Sequence, residues 1–325
     1  MTTLVTGGAG YIGSHTVYAL LDRGDAVVVL DNLSTGVKAQ VGEKAAFVQG
    51  DVADAALVRK VIADHGVDAV IHFAGSIVVP DSVADPLGYY DNNVVRTRAL
   101  IQSVVEAGVK QFIFSSTATV YAEDAEQPLA EGARKAPISP YARSKLMTEW
   151  MLEDVSRAHD FRHMVLRYFN VAGADPAGRT GQSTPKATHL IKRAAMVALG
   201  REPHLNIFGT DYPTPDGTGV RDYIHVTDLA AAHLLALDAL RGGAPTTSYN
   251  CGYGQGLSVR QVVAGVERVI GRPLPVQEGP RRAGDPPTLI SDPSRIKQEL
   301  GWTPRHEDLD GIIASAIAWE RRFNG

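Results

Sequence analysis

The chain has 325 residues, 44% of them hydrophobic, enough to bury a sizeable core and to divide into two lobes. Its 32 basic and 36 acidic residues are intermixed and leave a net charge of -4, so no basic stripe argues for nucleic acid and no polybasic run for a membrane surface. The single cysteine, Cys251, excludes an internal disulfide framework; with a start, MTTLVTGGAG, that has no basic leader, and no stretch as long as a membrane span, it points to a cytoplasmic protein. The ten histidines are scattered, without an H-E-x-x-H pair or a Cys/His cluster, so no metal is expected.

The first half alternates short β-branched runs with helical patterns. TLVT precedes a helix over 13–23, AVVVL a loop, and AAFVQG a helix over 54–65; DAVIHFAG, FIFSS and MVLRYF follow. Strands interleaved with helices predict an α/β fold, a Rossmann-type doubly wound parallel sheet. After Asn170, Pro and Gly recur in GADPAGRTGQSTP, DYPTPDGTG and GPRRAGDPP, which predicts a smaller, loop-rich C-terminal substrate lobe. TDLAAAHLLALDAL reads as a capped amphipathic helix and TTSYNCG as one more strand of the first sheet. The lobes are therefore expected to interleave, with residues 1–170 and about 225–255 in the first and 171–224 and 256–325 in the second.

Motifs then suggest chemistry. LVTGGAGYIGSH sets Gly7, Gly10 and Gly13 between a strand and a helix, where missing side chains permit a tight turn and let backbone N–H groups approach a pyrophosphate. Asp31 ends the second strand at the spacing for a carboxylate that accepts from ribose hydroxyls, and its charge repels a 2'-phosphate. No arginine follows in DNLSTG, so NAD is expected over NADP. GDV offers Asp51 near the adenine edge, and FAG offers Phe73, Ala74 and Gly75 near the cofactor's middle. FIFSSTATVY ends in hydroxyls that should face the ligand crevice. In SPYARSK, Tyr141 and Lys145 stand about one helical turn apart and share a face. Thr117, Tyr141 and Lys145 then form a candidate catalytic group.

These segments, with YYDNNV, LRYFNVAGA, IFGTDYPTPDGTGVRDYIHV and RRAGDP, resemble the extended short-chain dehydrogenase/reductase family over almost the whole length, and within it the UDP-glucose 4-epimerase branch. The resemblance implies interconversion of UDP-glucose and UDP-galactose through a 4-keto sugar, with Tyr141 as base and Lys145 and Thr117 in support. It implies NAD contacts by Tyr11, Ile12, Asn32, Val52, Asn92, Ser115 and Tyr168 beside the residues above. For the substrate it implies Asn170, Arg221 and Arg282 on the diphosphate, Phe208 near uracil, Asp285 on ribose, and His189, Leu190, Asn206 and Tyr223 around them. Leu289 falls where the family gates the sugar pocket. The family's dimer, a four-helix bundle, would draw on Leu146, Met147, Trp150 and Met151 of the Tyr141 helix and on NNVVRTRALIQSVV.

Thr117 replaces a common serine, Ile77 falls where some relatives have a lysine that contacts the cofactor, and Ala122 replaces a frequent glycine. A nucleotide-sugar 4,6-dehydratase would need an Asp-Glu pair after the active-site threonine, where Ala118 and Thr119 stand. An epimerase of UDP-xylose or a UDP-uronate stays open. So does a regulator that binds NAD without catalysis, although such a protein would be expected to lack Tyr141 or Lys145.

Overall fold

In the computed structural model, which describes residues 1–184, 187–282 and 285–323, the β-branched runs form strands where the sequence pattern places them. In chain order the first six are β1 (Thr2–Thr6), β2 (Ala26–Asp31), β3 (Ala46–Gln49), β4 (Val67–His72), β5 (Gln111–Thr117) and β6 (Arg162–Tyr168). After them come β7 (Asn170–Ala172), β8 (Leu205–Phe208), β9 (Val220–His225), β10 (Thr247–Cys251), β11 (Gly256–Ser258), β12 (Val276–Gly279) and β13 (Thr288–Leu289). Seven strands make one parallel sheet in the order β10-β6-β5-β4-β1-β2-β3, the doubly wound arrangement. The order reverses between β1 and β4, so a ligand crevice opens at the carboxyl edge there.

Helices α1 (Tyr11–Arg23), α2 (Ala55–His65), α3 (Val79–Ala84), α4 (Pro86–Tyr90), α5 (Arg96–Glu106) and α6 (Pro140–Ala158) belong to the first half. In the second lie α7 (Leu190–Ala198), α8 (Val226–Arg241), α9 (Val259–Ile270), α10 (Ser294–Leu300) and α11 (Leu309–Arg322). Asp54 and Ser139 cap α2 and α6 through backbone N–H groups of Leu57 and Ala142. The segment 92–105 is not one straight helix. A π-helical turn over Asp91–Val95 precedes α5 and re-aims its two asparagines.

One apolar cluster packs Leu4, Val28, Val58, Leu100 and Leu152 on the α2, α5 and α6 side of the sheet. On the other side Val5, Val17 and Leu20 join Leu237 of α8, and the same cluster continues through Val171 and Ile191 to Val262, Trp302 and Ile313. Strand β10 pairs with β6. The loop-rich region contains more sheet than its composition predicts: β9 pairs with β7, β11 and β13, and β8 pairs with β12. Leu146, weighed above for a bundle between two copies, is buried beside Ala118, Phe169 and Leu289, whereas Trp150 on the same helix is 54% exposed.

Candidate active site

The turn after β1 is built around glycines that nothing larger could replace. Gly7 has φ of 70°, and a Cβ there would lie 2.6 Å from Ala74 N, while one on Gly13 would lie 2.2 Å from Gly7 O. Gly10 is the N-cap of α1 with extended backbone and no side chain capping the helix, so the first N–H groups stay free to hold an anion. Tyr11 and Ile12 start that helix. The Tyr11 phenol itself turns away and donates to Gly173 O at 2.7 Å, so only its backbone can serve a pyrophosphate.

Asp31 is buried at the end of β2, where one carboxylate oxygen accepts from Ala9 N (2.9 Å) and the other from Leu33 N (2.8 Å). It therefore locks the glycine turn from the carboxyl end of β2. Asn32 accepts from Ser34 N at 3.0 Å. Asp51, in the turn that holds Val52 after β3, accepts from Ala53 N and pairs with Arg96, whose guanidinium also reaches Asp91 at 3.0 Å. Arg96 was not legible as a site residue, because its two carboxylate partners come from different turns.

Phe73, Ala74 and Gly75 leave β4 toward the crevice, with Phe73 N donating to Thr6 O at 2.9 Å. Gly75 sits between Asn93 and Lys145: a Cβ there would lie 3.1 Å from Asn93 Oδ1 and 3.7 Å from Lys145 Nζ. The π turn directs Asn92 Nδ2 to Ser76 Oγ (2.8 Å). It also buries Asn93, which accepts from Ser76 N at 2.8 Å and donates to Ser144 Oγ at 3.0 Å. Asn93 thus ties the loop after β4 to the Tyr141 helix, and its sequence neighbour Asn92 gave no hint of this division.

Thr117, Tyr141 and Lys145 meet where β5 ends against α6. The hydroxyl of Thr117 lies beside the Tyr141 phenol and is itself bonded to Thr119, Oγ1 to Oγ1 at 3.0 Å. Burial pushes that phenol up to about 12, with the neighbouring Thr117 hydroxyl opposing the shift. The Lys145 ammonium donates to Ser115 O at 2.9 Å and stands 5.0 Å above the Phe114 ring. Burial lowers it to about 8. Tyr168 faces Thr117 across the parallel β5–β6 pair, and its phenol meets His233 Nε2.

Beneath these groups lies a charged network absent from the motif reading. Glu149, one turn beyond Lys145, accepts from Ser116 Oγ at 2.6 Å and forms a two-pronged pair with Arg167 through bonds of 3.0 and 2.7 Å. Both side chains are 2% exposed, and Arg167 also donates to Tyr121 OH at 2.8 Å. Removing one partner of such a pair would leave a buried charge unmatched.

The expected nucleotide-binding residues gather on the loop-rich side. Asn170 and Tyr223 stand opposite each other in β7 and β9, and both line a pocket with His189 and Leu190. Asn206 and Phe208 share one face of β8, and the Arg282 guanidinium lies 3.9 Å from the Phe208 ring centre. Arg221, the second residue of β9, is buried, pairs with Asp285 and donates to Val220 O at 2.8 Å. Leu289 of β13 is in register with Arg221 and packs on Ala118 and Phe169 beyond the end of β5. The Ala283–Gly284 part of RRAGDP lies outside the described residues.

The NAD dependent epimerase/dehydratase family matches residues 3–252. A UDP-glucose 4-epimerase of Azospirillum brasilense is 55% identical over 318 residues, covering 98% of this chain and 91% of that protein. The crystal structure of a UDP-glucose 4-epimerase from Brucella ovis in complex with NAD superposes with a TM-score of 0.94 at 45% identity, covering 98% of this chain and 97% of the other. That of a UDP-glucose 4-epimerase from Bifidobacterium longum in complex with NAD+ and UDP does so with a TM-score of 0.94 at 39% identity over 99% and 98% of the two chains. With the glycine turn, the parallel sheet and the Tyr141/Lys145 helix in place, the chain belongs to the NAD dependent epimerase/dehydratase family.

Proposed function

We propose that the protein interconverts UDP-glucose and UDP-galactose, inverting C4 through a 4-keto sugar with NAD as resident cofactor. The observation that carries this reading is the meeting of Thr117, Tyr141 and Lys145 at the sheet edge, beside an uncapped helix N-terminus cradled by glycines. NAD supplies the hydride acceptor and donor when bound. Gly7, Gly10, Gly13 and the backbone of Tyr11 and Ile12 fit its pyrophosphate, Asp31 and Asn32 its adenosine ribose, and Asp51 and Val52 its adenine. Phe73, Ala74, Gly75, Asn92, Ser115, Lys145 and Tyr168 fit its nicotinamide half.

In this reading Tyr141 takes the proton of the sugar O4 hydroxyl as hydride leaves C4. The buried phenol is neutral in the protein alone, so the positive charges of Lys145 and of the oxidised ring must together favour the phenolate. Thr117 holds the reacting oxygen. The keto sugar turns over and receives hydride on its other face while Tyr141 returns the proton. Such a turn requires that the grip fall on UDP, and Asn170, Arg221 and Arg282 suit the diphosphate. Phe208 suits uracil, Asp285 the ribose, and His189, Leu190, Asn206 and Tyr223 their surroundings.

We assign the cofactor to residues 1–170 with about 225–255, supported by the β10–β6 pairing, and UDP-sugar to 171–224 with 256–325. We further propose a cytoplasmic homodimer, with no nucleic-acid or membrane partner. Among the described residues no helix is long and apolar enough to cross a membrane. Trp150 and Val95, 54% and 56% exposed on α6 and next to α5, support a helical interface between two copies.

The test is conversion of UDP-glucose to UDP-galactose by the purified holoenzyme, with no net NADH at any time. Stoichiometric NADH would instead indicate a dehydrogenase and overturn the reading.

A further inference from the structure

His233 belongs to none of the motifs, yet it is fully buried in α8 and touches the catalytic edge of the sheet. Its Nδ1 lies 2.8 Å from Leu229 O, one turn earlier. A carbonyl oxygen can only accept, so Nδ1 carries the proton. Burial lowers the imidazole to about 4, which leaves it a single proton at neutral pH. Nε2 is therefore a lone pair, and its partner is the hydroxyl of Tyr168. That hydroxyl must donate. Its only proton being spent, the Tyr168 oxygen offers nothing but lone pairs to any other neighbour.

The position of this oxygen gives the tautomer a chemical consequence. Tyr168 is in register with Thr117 at the end of β5, and Lys145 of the Tyr141 helix holds the carbonyl of Ser115. The glycine turn follows β1 and Asp31 ends β2, so a dinucleotide held there across the crevice would direct its second ring toward the β4, β5 and β6 side. Only the carboxamide of that ring forms strong hydrogen bonds, with N–H groups that donate and a carbonyl that accepts.

We propose that His233 is a positioning residue: by holding Tyr168 as an acceptor it makes the site take the cofactor's carboxamide through N–H, and so sets which way round the nicotinamide lies. The inference rests on NAD as cofactor and on the site described above. It concerns His233 and Tyr168 alone.

The test exchanges cofactor in the holoenzyme, offering NAD against its 3-acetylpyridine analogue, in which a methyl group replaces the amide nitrogen. The parent should retain NAD about tenfold or more in preference, the worth of one hydrogen bond to a buried acceptor. In His233→Phe the Tyr168 proton is released to the carbonyl that both cofactors share, and the preference should fall to within about threefold. A merely structural role would weaken both cofactors alike and leave the ratio unchanged. An unchanged ratio, or a parent without preference, overturns the proposal. If His233→Phe does not fold, Tyr168→Phe decides: it should lower NAD retention and leave the analogue's unaltered, and equal losses count against the proposal. Interconversion of the UDP-hexoses by the parent is measured separately, so failure of the reaction assignment and failure of the His233 role give different results.

Discussion

The cofactor side and the nucleotide side of the crevice hold their polar groups in different ways. Around the glycine turn, Asp31, Asn93 and Lys145 are fixed by backbone groups a few ångströms away, Ala9 N, Ser76 N and Ser115 O among them. Around β9, Arg221 has a backbone anchor in Val220 O, but its other terminal nitrogen is matched by the Asp285 carboxylate, and Arg282 lies against the face of Phe208. Backbone anchors cannot leave, whereas a side-chain partner can rotate away. The first arrangement suits a group retained through every turnover, and the second suits one that enters and departs.

The strongest way to break this comparison is to remove chemistry without touching either set of anchors. Tyr141→Phe deletes one hydroxyl, so kcat should fall by about a hundredfold to ten-thousandfold while UDP and NAD binding persist. Near-normal turnover would assign the proton to another group, Thr117 first. On the exchanging side, Arg221→Ala should weaken UDP-sugar binding by about tenfold to a hundredfold, read as a rise in KM with NAD content unaltered. Loss of NAD in that variant would show that the two sides are not separable.

Acid provides a comparison by stability. His72 at the end of β4 is held at about 3, His233 of α8 at about 4 and His225 at the end of β9 at about 3, each lowered chiefly by burial. Between pH 6.5 and those values the unfolded chain binds protons that the folded chain does not. Stability therefore falls as pH drops below 6.5, by up to about 1.4 kcal/mol per histidine per pH unit. Thermal melts at pH 7 and pH 5 should show a lower Tm at pH 5. A flat profile would mean that these rings are not kept neutral.

The smallest effect is expected at the seam. Leu289 packs between β9 and the segment beyond the end of β5, so Leu289→Ala should narrow the preference for UDP-glucose over UDP-N-acetylglucosamine by up to about tenfold. Comparing kcat/KM for both sugars in a folded variant checks it, and an unchanged ratio would place the gate elsewhere.

Much of the cofactor side was legible because its signals are local. Strand alternation, the Gly7, Gly10 and Gly13 spacing, and the one-turn interval from Tyr141 to Lys145 all lie within about a dozen residues of chain, where backbone geometry ties sequence spacing to direction. The same locality left the loop-rich region nearly unread. Strand β13 is two residues long, and β9 finds its neighbours at Asn170, Gly256 and Thr288. No periodicity within a segment announces such pairings.

The sequence by itself determined the doubly wound sheet, the glycine turn after β1 and the one-turn spacing of Tyr141 and Lys145, since each follows from short-range sterics and helical or strand period. Only the tertiary structure decided which groups are paired. Glu149 meets Arg167, Arg96 meets Asp51, and Tyr168 meets His233, contacts between residues 18 to 65 positions apart. Burial and the hydrogen-bond partners of these groups set their protonation, and neither exists until distant segments pack together.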